Sequence, residues 1–140
     1  MSELRVGDEV PPFERRITRE MAAIHGAPMR NFHTVLEDAR ALGYPDLVIA
    51  GPMFTCFYSE MLTRAFGADW IWGGCLDFKL LAPVLANQTI RARGVVAARV
   101  PHDEGARISL DLWCERLDDG VRTSAGRASL ITRFRDGART

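Results

Sequence analysis

The stretch "MFTCFYSEMLTRAF", residues 53–66, constrains the fold more than any other part of the chain. Phe54, Phe57, Met61 and Ala65 recur at helical spacing, and Cys56, Leu62 and Phe66 widen the apolar face. Pro52 suits the first turn of such a helix, where its missing N–H goes unnoticed, and Gly67 suits its end. A helix this apolar needs cover over most of its circumference, so the spacing predicts a central, buried helix. Downstream the period changes. Residues 70–81, 89–100, 107–116 and 121–134 are rich in β-branched and aromatic side chains, and the separators Ala82-Pro83, 101–105 and Asp118-Asp119-Gly120 are turn-like. In "RISLDLWCERL" the residues Ile108, Leu110, Leu112 and Cys114 fall on one face, with Ser109, Asp111, Trp113 and Glu115 on the other. Short loops between the last three runs imply antiparallel pairing.

Upstream, residues 13–17 read as a short strand, and Thr18 as the N-cap of a helix through Met21 and Ile24, stopped by Gly26-Ala27-Pro28. Residues 34–42 form a second short helix, with Gly43 at its C-terminal cap. Helices first and strands after, around one apolar helix, predict an α+β domain in which an antiparallel sheet wraps that helix. A chain of 140 residues, 47% apolar, supports one such domain spanning 1–140.

Composition excludes several function classes. Eighteen basic and eighteen acidic side chains cancel, leaving no surplus to draw the protein onto nucleic acid or an anionic membrane. No apolar run approaches the roughly 20 residues of a membrane-spanning helix. The start, Ser-Glu-Leu-Arg-Val-Gly-Asp, lacks the features of a signal peptide. Cys56, Cys75 and Cys114 are far apart and show no metal-binding or redox spacing, so they are expected to be reduced, packed thiols of a cytosolic protein. The final residues, 135–140, read as a frayed end.

The order of elements and three local motifs resemble the MaoC-like, R-specific enoyl-CoA hydratase family of the hot-dog fold. "RNFH" at 30–33 matches the end of that family's active-site loop, Asp-x-Asn-Pro-x-His. "EDARALGYPDLVIAGPM" matches its short helix and the turn opening the long helix, and "LDFKLLAPVLANQTIRARGVV" its strand, Pro-Val turn and next strand. The resemblance implies a hot-dog domain, at least a homodimer with two sheets joined edge to edge, and hydration of 2-enoyl (or dehydration of 3-hydroxyacyl) thioesters carried on coenzyme A or an acyl carrier protein. It implies no metal and no redox cofactor. His33 takes the position of the catalytic histidine. The loop departs from the pattern elsewhere: Pro28 stands where the family has its aspartate, Arg30 where it has asparagine, and Asn31 where it has proline.

Hydration of an enoyl thioester needs a group to deprotonate water, a proton for the α-carbon, and donors for the enolate oxygen. His33 is the candidate acid/base, since an imidazole side chain titrates near neutrality. Asn31 and Arg30 are expected to orient it or to bind an acyl carrier's phosphate. Either could instead be a solvated loop residue. Gly51 or Met53, at the start of the long helix, would hold the thioester oxygen by a backbone N–H, because Pro52 has none. Glu60 is the candidate replacement for the missing carboxylate, a solvated helix face being the competing reading. His25, Glu37 and Asp38 are weaker substitutes. Tyr58 joins Glu60 as a polar group on the helix, while Phe54, Phe57, Trp70, Trp72 and Phe78 serve as core or as lining of an acyl tunnel. Cys56 as a nucleophile would need a base that no spacing supplies. Two other readings follow from the lost aspartate: a subunit dependent on a second hot-dog chain, and a thioesterase or tailoring enzyme for a specialised acyl or polyketide-like substrate.

Overall fold

A computed structural model describes residues 4–134; the frayed end expected at 135–140 lies outside the described residues. Nine elements follow one another: β1 (Phe13–Arg16), α1 (Arg19–Gly26), α2 (Leu36–Ala41), α3 (Gly51–Phe66), α4 (Ala68–Gly73), β2 (Cys75–Leu80), β3 (Thr89–His102), β4 (Gly105–Arg116) and β5 (Arg122–Arg133). The strands form one sheet in the order β1-β3-β4-β5-β2, every neighbouring pair antiparallel. Its long strands β3, β4 and β5 are joined consecutively, as the short loops require.

The sheet wraps α3, which is the hot-dog arrangement. Met53, Phe54, Phe57, Tyr58, Met61, Leu62 and Phe66 of α3 are buried, each large apolar side chain contributing about 2 kcal/mol by leaving water. Ile108, Leu110, Leu112 and Cys114, the face anticipated from the alternation in β4, are buried in the same core. The opposite face of the sheet is charged: Arg93 pairs with Glu9, and the Arg93 and Arg122 guanidinium groups lie 5.2 and 4.7 Å from the Trp113 ring centroid. Gly126 marks a close backbone approach, since a Cβ there would strike the Asp77 carbonyl and Phe78 of β2.

Two expectations are corrected. The strand expected over 70–81 begins only at Cys75, because Ala68–Gly73 is helical. Gly67 has φ +59°, which turns the chain sharply out of α3. The buried Asp69 carboxylate then takes the Arg133 backbone N–H of β5, and Trp70 donates to Ser59 at 3.1 Å. These tertiary bonds override the strand propensity of the Trp-Ile-Trp run, and they leave Trp72 at 80% exposure rather than in the core. The cysteines are not uniformly packed either: Cys114 is buried, whereas Cys56 and Cys75 are exposed.

Candidate active site

The segment between α1 and α3 leads into the start of the long helix, and His33 is fixed in it by three contacts. Asn31 Oδ1 accepts the His33 backbone N–H at 3.0 Å, an Asx turn that shapes the loop. His33 Nδ1 lies 2.7 Å from the Val48 carbonyl oxygen. A carbonyl only accepts, so Nδ1 carries a proton, and in the neutral imidazole Nε2 is the acceptor. The Phe32 ring lies against the imidazole with centroids 4.1 Å apart, and the Phe32 carbonyl accepts the Val48 N–H. Val48 is three residues before Gly51, so the same backbone that holds the imidazole leads directly into α3. Gly26, at the end of α1, admits this packing: a Cβ there would come within 2.8 Å of Thr34 Cγ2 and 3.0 Å of His33 Cβ.

At the helix start the two candidate donors differ. The Met53 N–H is bonded to the Ala50 carbonyl at 3.0 Å, whereas the Gly51 N–H has no hydrogen-bond partner among the described residues. Of the two, Gly51 is therefore the one with a free N–H, at the positive end of a 16-residue helix. Its missing side chain matters as well, because a Cβ would lie 3.2 Å from Leu80 Cδ1 at the end of β2. Met53 is buried beneath it.

The other expected site residues scatter. Glu60 does not join His33: its carboxylate pairs with Arg64 at 2.8 Å and Arg15 at 3.8 Å, and nine residues of helix put it about 14 Å along the axis from Gly51. Glu37 and Asp38 are exposed on α2. Tyr58 is fully buried, its hydroxyl 2.6 Å from Ser124 Oγ in the core. Burial pushes the Tyr58 phenol far above its ordinary range and the Cys114 thiol beside it up to about 11. Both are neutral packing groups. Phe54 and Phe57 are buried side by side with centroids 5.7 Å apart, and Phe78 of β2 packs on Phe54 and Tyr58. Arg30 is exposed on the loop preceding His33.

Sequence reasoning missed Asp46. It accepts two bonds from Arg19, one from Asn87 Nδ2 and one from the Leu47 N–H, tying α1, the approach to α3 and the loop before β3 together. The Arg19 hydrogen bonds hold its carboxyl below the usual carboxylate range. The Pro-Asp turn at 45–46 was its one local signal.

No family model and no curated protein sequence matches the chain. The comparison with solved structures is informative about class: this chain has the hot-dog fold of the MaoC-like dehydratases and R-hydratases. A MaoC-like dehydratase from Rhodospirillum rubrum superposes with a TM-score of 0.79 at 16% identity, covering 94% of each chain. The (R)-hydratase from A. caviae involved in PHA biosynthesis gives 0.76 at 16% identity, covering 94% of this chain and 98% of that one. The ChsH1-ChsH2 complex from Mycobacterium tuberculosis gives 0.75 at 17% identity, covering 94% and 100%.

Proposed function

We propose that the protein is a hydratase of the MaoC-like type, adding water to 2-enoyl thioesters or removing it from 3-hydroxyacyl thioesters. Two observations support this reading: His33 Nδ1 bonds to the Val48 carbonyl, three residues before Gly51, and the Gly51 N–H has no hydrogen-bond partner among the described residues. In the hydration direction His33 Nε2 takes a proton from water as the oxygen bonds to the β-carbon. The C=C π pair moves toward the thioester carbonyl, whose oxygen becomes an enolate held by the Gly51 N–H. The imidazolium formed on His33 can return that proton to the α-carbon, which completes the addition of H and OH.

Pro28 cannot act as an acid, and no carboxylate hydrogen-bonds to the His33 ring among the described residues. His33 therefore serves both proton transfers in this reading. The acyl group rides on coenzyme A or an acyl carrier protein, for whose phosphates Arg30 is the nearby exposed cation. The mechanism calls for no metal and no redox cofactor.

A second reading has one observation in its favour. The carboxylate missing at Pro28 would come from another hot-dog subunit, and among the similar structures the ChsH1-ChsH2 assembly is a complex of two different chains. Product analysis tests the preferred reading against hydrolysis. The purified protein, offered 2-enoyl thioesters of several chain lengths, is expected to yield 3-hydroxyacyl thioesters without free thiol. Free thiol as the main product would make it a thioesterase, and no turnover of any thioester would favour the partner-dependent reading.

A further inference from the structure

A second reactive constellation lies elsewhere on α3. Cys56 Sγ is 3.9 Å from His25 Nδ1, within hydrogen-bonding range for sulfur. Cys56 is exposed on α3 and His25 half-buried on the last turn of α1. The two face a surface cavity of about 140 Å³ lined by Phe13, Met21, Met53 and Phe57, with Arg15 and Glu60 also on it. The Arg15 guanidinium stands 5.3 Å above the Phe13 ring and 3.8 Å from Glu60. Its β1 strand is at the opposite edge of the sheet from β2, the strand that reaches Gly51. The cavity thus combines a nucleophile, a proton acceptor, an apolar wall and a cation. Cys75, the other exposed thiol, lines a cavity with Leu76, Asp77, Ser109, Arg127, Ala128 and Ser129, which holds no histidine.

We propose that Cys56 and His25 form a covalent capture site for small α,β-unsaturated carbonyl compounds. His25 Nδ1 takes the Cys56 thiol proton as the sulfur bonds to the β-carbon of the ligand. The C=C π pair moves to give an enolate, whose oxygen is stabilised by the Arg15 guanidinium. The α-carbon then takes up the proton from His25. The sum is addition of S–H across C=C, with no oxidant, reductant or leaving group. The wall of Phe13, Met21, Met53 and Phe57 admits the apolar part of the ligand. This inference is independent of the hydratase reading, since it uses none of His33, Asn31 or Gly51.

The test measures adduct formation with methyl vinyl ketone at pH 7 by intact-protein mass spectrometry and peptide mapping, in a Cys75→Ser background with N-acetylcysteine in the same solution. Cys56 is expected to react about tenfold faster than N-acetylcysteine. That advantage should vanish in His25→Gln and shrink in Arg15→Gln, with circular dichroism unchanged; His25→Asn serves should His25→Gln disturb the fold. Reaction of Cys56 no faster than N-acetylcysteine, or an advantage that survives removal of the imidazole, would overturn the proposal.

Discussion

Tyr58 and His33 show how one hydrogen bond decides whether a polar side chain is structural or chemical. His33 spends one ring nitrogen on Val48 and keeps the other open, whereas Tyr58 spends its only hydroxyl on Ser124 inside the core. Tyr58→Phe should therefore leave activity largely intact and cost about 1–3 kcal/mol, the penalty of stranding the buried Ser124 hydroxyl. Urea unfolding measures that loss, and an unchanged midpoint would mean that the hydroxyl finds another partner. Helical periodicity placed Tyr58 and Glu60 on the right helix, but an apolar face this broad does not say which polar residue turns inward. His33 stood out only because its loop resembles that of a known family. The bond to Val48 was not legible, since the two residues are 15 apart and meet only once the loop folds back.

Among the elements, the segment leading into α3 is tied to α1 and to the loop before β3 through Asp46. Asp46 joins Arg19, Leu47 and Asn87, and Arg19 lowers its carboxyl pKa in the folded state. A group whose folded pKa is depressed stabilises the fold above its unfolded value, about 3.9 for an aspartate, and loses that contribution as pH falls through the lower folded value. Asp46→Asn should thus destabilise the protein at pH 7, and the difference from wild type should shrink as pH drops below about 4. Thermal melts across that range read both, and a penalty that stays constant at low pH would exclude the ionic contribution. The long helix and the alternating strands were readable from period alone. The helix over 68–73 was not, because Asp69 and Trp70 are drawn into it by Arg133 and Ser59, partners remote in sequence.

At the scale of the whole molecule, β2 pairs with β5 on one side and is the last strand of the sheet on the other. Ile71, Trp72, Leu80 and Leu81, on and beside it, are all more than half exposed. An open edge flanked by large apolar side chains is suited to pairing with another hot-dog chain. Sedimentation of the purified protein should show a dimer that Trp72→Glu with Leu81→Glu dissociates; a wild-type monomer would leave this edge without its proposed role. The account as a whole rests on the proposal that His33 is the acid/base. The measurement that tests it most directly is the rate of 2-enoyl thioester hydration by wild type and His33→Ala at equal folded concentration. Turnover in the wild type and a loss of about a hundredfold or more in the variant is the predicted result. A His33→Ala protein that hydrates as fast as wild type would contradict it.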